Sequence, residues 1–147
     1  MNRTNCNLHS YEKYFQSINN LLISKNLPQS IIFSGEDGLG KKTFLLHFFA
    51  FCLLNTLEKK EYLKNFVLKD INILKRLSHN EFSNFKIIER DVKKSFIQID
   101  QIRELISFCS YEASTETPRF ILISNIEDLN SSAANSLLKL LEEPPKN

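Results

Sequence analysis

Apolar residues recur at helical spacing near the start of this 147-residue chain. Tyr11, Tyr14, Phe15, Ile18, Leu21 and Leu22 predict a helix over residues 10–25 with Ser10 as its cap. Pro28 ends that register. Ile31-Ile32-Phe33 is a short, wholly apolar run of strand type that leads straight into Ser34-Gly35. Residues 41–54 are apolar nearly all round, as suits a helix buried against a sheet. Residues 56–77 read as one or two amphipathic helices with Leu57, Leu63, Phe66, Leu68, Ile71, Leu74 and Leu77 turned inward. Strands are predicted again at 85–88 and 120–123. Between them Asp100 is expected to cap a helix whose Ile102, Leu105, Ile106 and Cys109 fall at i, i+3, i+4 and i+7. Asn130 or Ser131 caps a last helix that runs through Leu137, Leu138, Leu140 and Leu141 to Glu142, where Pro144-Pro145 stops it. Strands that alternate with helices predict an α/β fold, a parallel sheet flanked by helices. With three strands placed, the domain reads as truncated at its C-terminus.

Composition narrows the class more than the function. With 42% hydrophobic and 24% charged residues the chain suits one globular domain, able to bury about 68% of its unfolded surface. Collagen-like, low-complexity and disulfide-scaffold classes are excluded. A formal charge of +2 is too balanced to indicate nucleic acid or membrane by its sign. Cys6, Cys52 and Cys109 are widely spaced and form no C-x-x-C pair, so they read as reduced thiols. The first ten residues hold no apolar stretch of signal-peptide type, and the longest apolar run, 44–54, is broken by His47 and too short to span a bilayer. The chain reads as cytoplasmic.

Glycine is the informative residue. About ten would be ordinary for this length, yet there are three, Gly35, Gly38 and Gly40, all within six positions. Gly35-Glu36-Asp37-Gly38-Leu39-Gly40-Lys41 matches the G-x-x-x-x-G-K part of a P-loop, set between a predicted strand and a predicted helix. In that motif backbone N–H groups from Gly38 through Leu39, Gly40, Lys41 and Lys42 face a β-phosphate. The helix start adds its positive end, and Lys41 neutralises β/γ oxygens. The alternative is a glycine-rich turn that binds nothing.

The motif's next position should carry the Ser or Thr hydroxyl that holds Mg²⁺, but here it is Lys42. Thr43 lies one residue on, rotated by about 100° around the helix. An ammonium about 4 Å from a divalent ion costs roughly 8 kcal/mol at an effective dielectric of 20. The second requirement is a carboxylate at a neighbouring strand end. The strand 120–123 ends instead in Ser124-Asn125, and Glu127 and Asp128 come later, as solvated turn and cap residues. The expectation is no intrinsic ATPase, no catalytic residue and no metal ligand, with ATP or ADP held weakly and without hydrolysis if the loop is occupied.

Three stretches carry a family resemblance: Leu27-Pro28-Gln29-Ser30-Ile31-Ile32-Phe33-Ser34-Gly35, Asp100-Gln101-Ile102-Arg103-Glu104-Leu105, and above all the block from Ser132 to Pro145 with its Ala-Asn-Ser-Leu-Leu-Lys-Leu-Leu-Glu-Glu-Pro-Pro core. From about Leu8 onward the chain resembles the amino-terminal AAA+ domain of bacterial clamp-loader subunits. Its Lys41-Lys42 and Ser124-Asn125 are similar to the delta-prime branch, which keeps degenerate versions of both nucleotide motifs. The resemblance implies a partial AAA+ P-loop domain over 1–147 without the collar domain. It also implies a non-hydrolysing stator within the DNA polymerase III holoenzyme, acting in DNA replication. Its partners would be the motor and delta-type loader subunits and, through the assembled complex, the sliding clamp and primed DNA. The stator's Ser-Arg-Cys arginine would lie past Asn147. Because residues 55–84 lack cysteine, the family's four-cysteine zinc module is not expected. Arg103 and Lys139 fall on helices that border the DNA chamber in such loaders; the alternative for each is a solvated face charge. An ATP-hydrolysing motor subunit, or a small P-loop phosphotransferase, are the competing readings.

Overall fold

The computed structural model describes residues 7–8, 10–110 and 118–143. It contains α1 (Glu12–Ile23), α2 (Lys41–Leu53), α3 (Thr56–Asn65), α4 (Asn72–Ser78), β1 (Phe85–Ile88), α5 (Ile99–Ser110), β2 (Phe120–Ile123), a 3₁₀ turn (Ile126–Asp128) and α6 (Ser131–Glu142). The chain divides into two compact units, Met1–His79 and Asn80–Asn147, each with its own core.

The first unit is helical and built on aromatic packing. Phe15 of α1 is fully buried and meets Phe44, Phe48 and Phe51 of α2 and Phe66 after α3 edge-on, with ring centroids 5.2–6.1 Å apart. Tyr62 of α3 lies tilted against it at 5.3 Å. Edge-on pairs suit the ring quadrupoles and add about 0.5–1.5 kcal/mol each beyond area burial. Within this core His47 Nδ1 lies 2.9 Å from the Tyr62 hydroxyl, so two buried polar groups satisfy one another. The expected apolar cylinder of α2 is borne out: Phe44, Leu46, His47, Phe48, Phe49, Ala50 and Phe51 are all buried.

Several expectations for this unit are corrected. Ser10 does not cap α1; it sits at φ 67, and Tyr11 occupies the cap position without a side-chain bond. Of the one or two helices expected over 56–77, two form, and the left-handed backbone of Phe66 (φ 54) ends α3. Asn55 opens α3 with a full capping box, its amide oxygen accepting from Leu57 and Glu58 while Glu58 returns a bond to the Asn55 N–H. Leu57, expected inward, is 77% exposed, because that first turn faces water and Tyr62 supplies the helix's buried contact. Ile71 is likewise exposed.

The predicted strand at 31–33 does not form. No described residue pairs with its backbone in a sheet, and Ile32 is 81% exposed. A strand exists through its ladder, since unpaired backbone groups prefer water to a dry sheet.

The second unit holds the two strands that do form. β1 and β2 pair in parallel with Phe85 opposite Phe120 and Ile88 opposite Ile123, and α5 connects them. Among the described residues the sheet has these two strands, and the larger parallel sheet expected is not seen there. The other side of β1 is closed at Ile87 by Asn80, whose amide accepts from the Ile87 N–H (2.6 Å) and donates to its carbonyl (3.0 Å). α5 begins at Ile99, so Asp100 falls in its first turn rather than at its cap. Its far end is closed by Arg119, which donates to the Phe108 and Cys109 carbonyls at 2.8 and 2.9 Å. Asn130 caps α6 as expected, accepting from Ala133 N at 2.8 Å. Ile88, Ile97, Ile102, Leu105, Ala133 and Leu137 make the core between strands and helices. Cys6 and the Pro144-Pro145 stop lie outside the described residues.

Candidate functional site

The glycine loop adopts the backbone that its composition anticipates. Gly38 and Gly40 sit at φ 84 and 83, a left-handed conformation that a side chain would strain. A Cβ added at either would meet nothing within 4 Å, so the glycines serve backbone shape, and the space above them is open. Gly40 is the N-cap of α2, its carbonyl accepting from Phe44 N at 2.9 Å. Loop and helix are therefore continuous, as a phosphate cradle requires, and the positive end of α2 points into the loop.

Lys41 is folded over that loop. Its Nζ donates to the carbonyls of Gly35 (2.5 Å) and Glu36 (3.0 Å) and lies 3.9 Å from the Asp37 carboxylate. The ammonium is thus held beside the loop rather than projected away from it. Lys42 and Thr43 follow in the first turn of α2, both half-buried. Leu39 is exposed, and its carbonyl accepts from the Tyr11 hydroxyl, a bond across 28 positions that sequence reasoning missed. No local pattern signals such a contact.

The loop's own side chains do not suit Mg²⁺. Lys42 stands where an oxygen ligand is needed, and an ammonium has only protons to offer. In the second unit β2 runs into Ser124 and Asn125, neither of them a carboxylate. Ser124 N donates to Ile88 O at 2.8 Å, and Asn125 sits at φ 63 with its carbonyl accepting from Asp128 N at 2.9 Å. Glu127 is exposed, whereas Asp128 is drawn into an ion pair, its carboxylate 3.4 Å from Arg90 Nε. Asp128 is therefore a structural acid, more engaged than a solvated cap residue.

Arg103 on α5 is exposed and paired with Asp100 one turn earlier at 2.8 Å, and Lys139 on α6 is exposed. Both helices belong to the second unit and pack on one another. Neither cysteine in the described residues is poised as a nucleophile: burial pushes the Cys52 thiol up to about 12, opposed by Lys59, and also raises Cys109, opposed by Arg119. Burial, and then Glu12, raise the Tyr62 phenol. Among the described residues no trio of His, Cys, Asp or Glu is gathered to hold a metal ion, and no helix is long and apolar enough to cross a membrane.

Known proteins give this geometry a setting. The family model for DNA polymerase III, delta subunit, matches residues 10–147. A DNA polymerase III subunit delta' from Bacillus subtilis is 30% identical over 132 residues, covering 86% of this chain and 36% of that protein. Another, from Pseudomonas aeruginosa, is 34% identical over 61 residues, covering 42% of this chain and 19% of that protein. The chain therefore spans well under half the length of either relative. With the family match running from the start of α1 through the loop and both strands, the chain belongs to the DNA polymerase III delta subunit family.

Proposed function

We propose that the chain is a non-hydrolysing, stator-type component of a bacterial clamp loader. Its glycine loop would hold nucleotide or phosphate weakly and without magnesium, and its role would be exerted through partner subunits. The motor and delta-type loader subunits would be its neighbours, with the sliding clamp and primed DNA engaged by the assembly. Family membership and the delta' relatives support the setting. The observation that carries the silent reading is Lys42 at the second position of α2, where the hydroxyl that ligates magnesium is required. Ser124 and Asn125 at the end of β2 support it independently, since neither supplies a carboxylate.

Arg103 and Lys139 would meet phosphates of duplex DNA held by the assembly. Arg103 would have to exchange its Asp100 partner to do so, a small cost for an exposed pair.

Calorimetry with ATP tests the loop. The expected result is weak binding that is the same with magnesium as without. Binding about tenfold tighter in magnesium would mean that the protein helps hold the cation, and the motor reading would replace this one.

A further inference from the structure

We infer that Tyr11 is a positioning residue of the glycine loop: its hydroxyl fixes the Leu39–Gly40 peptide and thereby aims the Gly40 N–H at a bound phosphate. The inference rests on the phosphate-binding reading above and adds a residue to it from outside the motif.

Three observations carry it. First, the Tyr11 hydroxyl donates to the Leu39 carbonyl. That peptide is trans, so its N–H, which belongs to Gly40, points to the side opposite the bonded carbonyl. Second, this stretch of loop has wide backbone freedom. Gly38 and Gly40 flank Leu39, both in left-handed backbone, and a Cβ on either would find no neighbour within 4 Å. With a glycine on each side of Leu39, the segment can shift unless something outside the loop holds it. Third, Tyr11 is itself rigid. Its carbonyl accepts from Phe15 N at 2.9 Å at the start of α1, and its ring lies 5.8 Å from Phe44 and 6.4 Å from Tyr14. A donor locked by its own backbone and ring presents its proton without ordering cost at the moment of binding.

The composition supplies the experiment. All three glycines of the chain are loop residues, so protein labelled with [¹⁵N]glycine gives amide signals from the loop alone. Pyrophosphate is titrated into the wild-type protein, Tyr11→Phe and Tyr14→Phe, with melting temperatures recorded alongside. Tyr11→Phe keeps the ring against Phe44 and removes only the bond. Its Gly40 signal is expected to move before any anion is added, and its dissociation constant to rise about fivefold, the worth of one neutral hydrogen bond. Tyr14→Phe, which removes a hydroxyl from the ring beside Tyr11 and leaves the Leu39 bond in place, is expected to bind as the wild type does. Equal affinity in Tyr11→Phe, or an equal loss in both variants, would overturn the role of Tyr11 while leaving phosphate binding in place. Glycine signals that stay still in the wild-type protein would withdraw the phosphate-binding reading itself.

Discussion

Ile31-Ile32-Phe33 and Phe120-Ile121-Leu122-Ile123 are chemically alike, yet only the second is a strand. In β2 the backbone pairs residue by residue with β1, and Leu122 is 7% exposed. At 31–33 no described residue completes a ladder, and Ile32 lies open. A run of β-branched and aromatic residues thus states a preference that a neighbouring strand must complete. The difference reaches the chemistry as well. The unpaired run leads into a loop with two left-handed glycines, the second of which caps α2. The well-paired run delivers Ser124 and Asn125, neither of them a carboxylate.

The same truncation in each run sharpens that contrast. Leu122→Ala should cost the second unit about 2–5 kcal/mol, read from urea unfolding followed by amide exchange. Ile32→Ala should change stability by no more than about 0.5 kcal/mol, as at any exposed position. A cost at Ile32 approaching that at Leu122 would mean that 31–33 is buried in solution.

A smaller effect tests the edge of the sheet. Asn80→Ala strips both bonds from Ile87 and should destabilise the second unit by about 1–3 kcal/mol, with faster exchange of the Ile87 amide. Unchanged exchange at Ile87 would show that the Asn80 amide does not close β1.

Much of this architecture was legible in the sequence. The even apolar cover of α2, the i, i+3, i+4, i+7 series of α5 and the Asn130 cap of α6 all depend on contacts within a turn or two, which pattern reports directly. Pairing is different. Nothing local told 31–33 from 120–123, and no spacing rule distinguishes Leu57, turned to water, from Leu74, turned to the core. Caps slipped for a related reason: Ser10 and Asp100 have the right side chains, but the chain's entry into each helix is set by packing beyond them. At the candidate site, residues 35–43 were readable because the G-x-x-x-x-G-K pattern has fixed spacing. The Tyr11 bond and the Arg90–Asp128 pair join residues 28 and 38 positions apart, and they are visible only once the chain is folded.

The proposed function turns on an anion cradle kept where the means of holding magnesium is lost. ATP turnover by the purified protein, with and without Mg²⁺ and alongside Lys41→Ala, tests it most directly. No magnesium-dependent phosphate release above background is expected. Turnover in the ordinary enzymatic range of roughly one per second or more, abolished by Lys41→Ala, would contradict it.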